Sequence, residues 1–378
     1  MCILTNKQES LKDSVRKLAE KHFAPKAAQI DEYRIFPREN IAILAKNNLF
    51  GLNITKEYGG QGKDMLSQII AIEEVARVCM STSVLLANQV LAMAPLVIAG
   101  NGTQKKTFLT QLATGKILGA FAVTEREAGS DTASIKTLAV RNNGHYIING
   151  AKCFVTNGGE ASCYIVAAKT DPYLSYRGLS LFIVEDEREG LILGPAEDTM
   201  GIRGEPIREI IFEHCRIPKA NLLCEEGQGF VLMMRALDRA RIAVAAQAVG
   251  IAQGALDYAL QYARQRSQFN KPIASIQAVQ MMIADMAIGI EAARMLTYQA
   301  ASLVDKNDPN VTKLASMAKV MASDVAVKVT NEAIQVLGGY GFLRSHPLER
   351  MLRDAKVTQL YVGTNQIQKI IIVGQLFR

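Results

Sequence analysis

Few of the chemistry-bearing residues in this chain are spaced as a familiar catalytic set. The four histidines stand at 22, 145, 214 and 346, with no HExxH pair and no His/Cys cluster, so no metal site is expected. Six cysteines, at 2, 79, 153, 163, 215 and 224, form no CxxC pair and read as free buried thiols in a reducing compartment, with no disulfide framework. The glycine-rich KEYGGQGKD at 56–64 resembles a phosphate loop only superficially. A Walker motif needs Ser or Thr after GK, and here Lys63 is followed by Asp64. No GxGxxG follows a strand-like run, which argues against a Rossmann nucleotide site. What remains are cations and glycines. Arg235 and Arg239 lie one helical turn apart, either as partner contacts or as a solvated basic stripe. Gly338-Gly339 reads as a helix C-cap or as a place where backbone approaches a phosphate closely, and both can hold.

The elements that must position these residues fall into three regions. Residues 1–117 are helical by pattern, beginning with an amphipathic helix that carries Leu11, Val15, Leu18, Ala19 and Phe23 at helical spacing. Residues 118–228 hold short β-branched runs punctuated by NNG at 142–144, NG at 149–150 and NGG at 157–159, a hairpin signature that predicts an antiparallel β domain. Residues 229–378 return to helix. A proline-free stretch at 230–267 predicts one helix about 55 Å long, followed by helices at 277–305, 310–337 and 364–376 that form a four-helix bundle. The fold class is α+β in the order helical, β, helical.

Composition sets outer limits. At 378 residues the chain is too long for one compact core, and 49% apolar content excludes a disordered polymer. The excess of 43 Lys+Arg over 36 Asp+Glu, a formal +7, suits an acidic partner or phosphorylated ligand as well as it suits a merely basic surface. No nucleic-acid partner is expected. No basic-then-apolar secretion signal precedes the first helix, which points to a cytoplasmic protein. The uncharged stretch 79–104 is long enough to cross a membrane. Its Ser81, Thr82, Ser83, Asn88 and Gln89 nevertheless predict a buried core helix. Asn88 and Gln89 are expected either to line a polar pocket or to be satisfied by backbone.

Six strings then occur in one order: FAVTEREAGSD (121–131), CFVTNGG (153–159), MGIRG (200–204), RSQFNKPI (266–273), QVLGGYG (335–341) and RDAKVTQLYVGT (353–364). Together they resemble the acyl-CoA dehydrogenase family, most like its short-chain or butyryl-type members, from about residue 8 to the C-terminus. The resemblance implies an FAD enzyme, usually a homotetramer, that oxidises acyl thioesters and passes electrons to an electron-transferring flavoprotein. It further implies that Phe121, Val123, Thr124 and Ser130 border the flavin, with Arg126 in place of the usual proline. Phe154 would stack near the ring with Thr156 beside it; a plain strand-core role is the alternative. Arg266 would face the pyrophosphate, with Phe269 and Gln277 on the adenosine side. Gln335, Gly338 and Gly339 would come from a neighbouring subunit, and Thr364 and Gln366 complete the match. Ser130, Asp238, Arg241, Tyr361 and Gly363 occupy thioester-binding positions.

One departure from the family pattern decides the functional expectation. Short-chain members carry their catalytic glutamate in a Tyr-Glu-Gly-Thr string, which here reads Tyr361-Val362-Gly363-Thr364. A second subset places that base on the long helix, at a position held here by Ala240. Neither side chain accepts a proton, although the Val362 N–H can still polarise a thioester carbonyl. Hydride transfer from C3 to flavin N5 without proton removal at C2 suits oxidation of a C3 alcohol or aldehyde hydrate. Relatives that make hydroxymalonyl or aminomalonyl extender units do this on an acyl carrier protein, an acidic partner that Arg235 and Arg239 could contact. The rival expectations are a short-chain acyl-CoA α,β-dehydrogenase with a base relocated to Glu125 or Tyr361, a non-redox lyase, and a pseudoenzyme.

Overall fold

The computed structural model describes residues 4–377. The first helix, α1 (Asn6–His22), starts at a capping box in which Thr5 Oγ1 accepts from the Gln8 amide while Gln8 Oε1 accepts from the Thr5 amide. Val15, Ala19 and Phe23 face inward, as their spacing predicts. Then come α2 (Ala27–Tyr33), α3 (Arg38–Lys46), α4 (Met65–Ala76), α5 (Met80–Ala99) and the short α6 (Gly102–Gln104) and α7 (Thr110–Thr114). Although α5 is long and apolar enough to span a bilayer, most of it is buried inside the protein. Its polar residues are satisfied locally. Asn88 Nδ2 donates to the Gly119 carbonyl at 2.8 Å, and Gln89 donates to the Leu112 and Ile117 carbonyls while accepting from the Gly119 amide. These two amides fasten the start of the β region to α5.

The β region comprises β1 (Gly119–Ala122), β2 (Leu138–Asn142), β3 (His145–Thr156), β4 (Cys163–Lys169), β5 (Leu179–Glu185), β6 (Leu191–Ala196), β7 (Ile207–Pro218) and β8 (Leu222–Leu223). The sheet order is β6-β7-β3-β2-β4-β5-β8, with β1 added against β4. It is not purely antiparallel: β1 runs parallel to β4, and β2 meets β4 in parallel at Leu138 and Lys169. The long excursion from β1 through β2 and β3 returns the chain to β4 in the same sense without a crossover helix. Of the expected turns, Asn143 and Gly144 have positive φ and close the β2–β3 hairpin. Asn149-Gly150 does not turn at all. It lies inside β3 as a bulge opposite β7, where a Cβ on Gly150 would sit 2.5 Å from Thr137 Oγ1.

After the sheet come α8 (Gly229–Gln265), a small β9 (Ser267–Gln268) and β10 (Lys271–Pro272) hairpin, α9 (Gln277–Val304), α10 (Val311–Leu337), α11 (Leu348–Val357) and α12 (Asn365–Leu376). The long helix ends at Gln265, not 267, because Phe269 and Asn270 take left-handed φ to turn the hairpin. The sequence reading had no counterpart for α11, which is too short and too charged to show a long apolar period. Hydrophobic residues of α1–α5 share one core with the C-terminal helices, whereas the sheet buries a separate cluster on each face. The site residues therefore lie on loops that leave the sheet and on a turn that leaves the bundle.

Candidate active site

The flavin-side residues gather where β1 and β3 end. Thr124 accepts from the Cys153 amide at 2.7 Å, joining the loop after β1 to β3. Beneath this contact lies a buried ion pair, Lys152 Nζ to Glu125 Oε1 at 2.7 Å. Lys152 also donates to the Val123 carbonyl, and Glu125 accepts further from the Lys136 amide, the Thr137 amide and Thr137 Oγ1. Burial alone would raise the Glu125 carboxyl, but Lys152 and these donors outweigh it and hold it below its ordinary value. Burial presses Lys152 down to about 8 despite Glu125, so both partners are charged at pH 7. With three donors on Oε1 and one on Oε2, the Glu125 carboxylate braces the loop.

The same bracing sets Phe154. The β3–β7 register shifts between Lys152 and Val155, and Phe154 takes φ +55° with its ring 67% exposed. A bulge thus turns an aromatic ring out of the sheet, which rules out the strand-core alternative. Phe121, Val123, Thr124 and Thr156 are half-buried around it, and Ser130 is exposed on the loop tip. Arg126, at the position of the usual proline, is exposed and 3.8 Å from Glu209.

A second group assembles on the bundle. Arg266, Gln335, Gly338 and Gly339 line one cleft of about 490 Å³ together with Tyr262 and Tyr340. The Arg266 guanidinium lies over the Tyr340 ring, 5.3 Å from its centroid. Gly338, at φ +59°, and Gly339 present bare backbone to the cleft, with open space where a Cβ would be. Phe269, 86% exposed, caps the β9–β10 hairpin, and Gln277 is exposed at the first turn of α9. Among the described residues no hydrogen bond or ion pair joins this cleft to the loops around Phe154.

The third group is the turn between α11 and α12. Tyr361 Oη donates to Gln247 Oε1 at 2.6 Å, and burial pushes its phenol far above the ordinary value, so it is no base at neutral pH. Val362 holds φ +56°, a left-handed conformation in which a β-branched residue is strained. Gly363 follows at φ +89°, and a Cβ there would meet Gln368 Nε2 at 2.5 Å. Behind the turn, buried Lys319 donates to the Gly363 carbonyl and to Asn365 Oδ1, each at 2.9 Å, while Gln368 donates to the Val362 and Gly363 carbonyls. Burial and the charge of Arg241 bring Lys319 down to about 7. Thr364 caps α12, its Oγ1 accepting from the Ile367 amide, and Gln366 points outward in the first turn.

On α8, Ala240 is buried, and Asp238 accepts from Arg241 Nη1 and from Thr312 Oγ1, both at 2.6 Å. Arg235 and Arg239 continue along α8, with Arg239 Nη1 donating to the Arg235 carbonyl. Four residues that shape these groups escaped the sequence reading: Lys152, Gln247, Lys319 and Gln368. Only Lys319 left a readable signal. It interrupts the small apolar stripe of Ala315, Ala318, Ala322 and Ala326, so a charge there must be buried.

The arrangement matches known proteins along its whole length. Family models for the N-terminal, middle and C-terminal domains of acyl-CoA dehydrogenase match residues 5–116, 120–215 and 227–377. The chain belongs to the acyl-CoA dehydrogenase family. It is 42% identical to a short-chain-specific acyl-CoA dehydrogenase of Clostridium acetobutylicum, covering 99% of each chain. It is 44% identical to an acryloyl-CoA reductase (NADH) of Anaerotignum propionicum, covering 99% of this chain and 95% of that one. The structure of butyryl-CoA dehydrogenase from Megasphaera elsdenii superposes with a TM-score of 0.98 at 41% identity, over 100% of both chains. Members of this family are FAD-dependent flavoproteins. The residues present suit that cofactor: an outward aromatic ring beside loop backbone for the isoalloxazine, and a glycine-walled cleft with an arginine for the pyrophosphate.

Proposed function

We propose that this protein is an FAD-dependent oxidoreductase of a short-chain acyl-CoA thioester that works at C3 without a protein base at C2. The single observation that carries the reading is that Val362, in the turn at Tyr361–Thr364, and Ala240, on α8, are both apolar, while Glu125 and Tyr361 are hydrogen-bonded to other partners. FAD, when bound, supplies a two-electron acceptor for hydride. Phe121, Val123, Thr124, Ser130, Phe154 and Thr156 would border its ring system. Arg266, Phe269, Gln277, Gln335, Gly338 and Gly339 would hold the phosphate and adenosine half. Gln335, Gly338 and Gly339 would act on the cofactor of a second copy, in keeping with the homo-oligomer, a tetramer, expected above. Thr364 and Gln366 close the same region.

The Val362 N–H, carried on a turn braced by Lys319 and Gln368, would polarise the thioester carbonyl, while the isopropyl group leaves the C2 proton in place. Such a site suits a substrate whose leaving proton is on oxygen, a C3 alcohol or aldehyde hydrate. CoA as the thioester carrier has the support of the relatives, whose names refer to acyl-CoA substrates. An acyl carrier protein, which the basic pair Arg235 and Arg239 of α8 could contact, is the second reading, and a prolyl acyl carrier protein oxidase is among the similar structures. An electron-transferring flavoprotein is the proposed electron acceptor.

Anaerobic addition of 3-hydroxybutyryl-CoA to the purified holoenzyme is expected to bleach the flavin absorbance, and butyryl-CoA is expected to leave it unchanged. Bleaching by butyryl-CoA at ordinary dehydrogenase rates overturns the proposal.

A further inference from the structure

The charges around the turn do not balance. Arg241 and Lys319 are both buried cations, and Lys319 feels the charge of Arg241. Asp238 is the one buried carboxylate bonded to either of them. Lys319 itself is bonded only to neutral oxygens, of Gly363 and Asn365. Asp324, which also acts on Lys319, is exposed and bonded to Asn365 and Gln359. Asp354, a buried acid whose charge acts on Tyr361, accepts from the Ile202 amide and lies beside Arg350 and Arg353. Arg241 and a lysine that is partly charged at neutral pH face a single carboxylate, an arrangement that a further anion would stabilise.

The guanidinium of Arg241 shows where that anion would go. It is 3% exposed, and among the described residues its only hydrogen bond is from Nη1 to Asp238. Nε is buried with no partner among the described residues, and Nη2 makes no hydrogen bond. The free side is therefore the Nε–Nη2 edge, whose two parallel N–H groups match the spacing of a carboxylate. Arg241 directly follows Ala240, and it lies close enough to Lys319 to repel its charge, while Lys319 donates to the carbonyl of Gly363, next to Val362.

We infer that the Nε–Nη2 edge of Arg241 receives a carboxylate carried by the acyl group, so that the ligand is a short dicarboxylic acyl-CoA. This rests on the proposed function, since a carboxylate at position 362 or 240 would supply the missing charge from the protein itself. It also fits a site in which C3 oxidation of an aldehyde ends at a carboxylate.

The test is calorimetric titration of the holoenzyme with succinyl-CoA and butyryl-CoA, four-carbon acyl groups that differ by one terminal carboxylate. Both carry the same CoA phosphates, so the comparison isolates the acyl group. Succinyl-CoA is expected to bind about tenfold more tightly or better, as a bidentate charged contact allows. Arg241→Gln should abolish that preference, and Arg241→Lys should restore part of it. Equal or tighter binding of butyryl-CoA by the wild type overturns the inference. So does an Arg241→Gln variant that weakens both ligands alike, because the edge then holds a CoA phosphate. If Arg241→Gln does not fold, Val362→Glu serves instead: it places an anion in the turn and should cancel or reverse the preference. The proposed function is checked separately by deuterium uptake at C2 of butyryl-CoA in D2O. Uptake by the wild type would refute the base-free reading, whatever the titrations show.

Discussion

Two buried lysines support the two halves of the candidate site, and their partners differ. Lys152 sits under the flavin-side loop against a carboxylate, Glu125, which also collects donors from Lys136 and Thr137. Lys319 sits under the thioester-side turn against neutral oxygens only. The first lysine closes a balanced, fully bonded brace. The second leaves positive charge and an unused arginine edge beside the position where the family carries its base. The loop is thus finished by the chain alone, whereas the turn is finished only by what binds there.

The strongest challenge to this contrast is to supply the missing carboxylate. Val362→Glu should raise deuterium exchange at C2 of butyryl-CoA by about 10²–10⁴-fold over the wild type, the usual contribution of a placed general base. NMR of the thioester in D2O reads this directly, and no gain would mean that the turn does not face C2.

Next in size is the loss of the brace. Lys152→Met strands Glu125 as an unpaired buried carboxylate and should cost about 3–5 kcal/mol of stability. Thermal unfolding with parallel measurement of bound FAD would reveal it. A change comparable to a surface substitution would show that the pair is no brace.

The two lysines should also differ with pH. The Lys319 ammonium falls from 10.5 to about 7 on folding. Between those values the unfolded chain holds a proton that the folded chain has released, so stability rises with pH in that window. Against Lys319→Met, the wild type should gain about 1.4 kcal/mol per pH unit above pH 7. The corresponding gain for Lys152 should begin near pH 8. Urea unfolding at pH 6, 7.5 and 9 would separate the two, and parallel pH curves for wild type and Lys319→Met would refute the assignment.

The smallest effect concerns strain. Val362→Gly removes a β-branched Cβ from φ +56° and should stabilise the fold by about 1 kcal/mol, even though glycine loses more entropy on folding. A fall in melting temperature would mean that the isopropyl packing outweighs the strain.

Much of the architecture was legible because it rests on local periodicity. The apolar stripe of α1, the proline-free run of α8 and the Asn143-Gly144 turn all declare themselves within a few residues. Features decided by a distant partner did not. Asn149-Gly150 has the residues of a hairpin turn, yet pairing with β7 on one side and close approach of Thr137 on the other keep it inside β3. Asn88 and Gln89 admitted a pocket or a structural role, and the backbone of residues 112–119 settled it.

The same division runs through the site. Sequence alone determined that no carboxylate stands at 362 or 240, because side-chain identity needs no fold to be read. It also determined the family, through six strings in order. Tertiary structure alone decided what Glu125 and Tyr361 bond to, since their partners Lys152 and Gln247 lie 27 and 114 residues away along the chain. It likewise exposed the free edge of Arg241, because an unsatisfied hydrogen-bond donor is defined by everything packed around it, not by its neighbours in sequence.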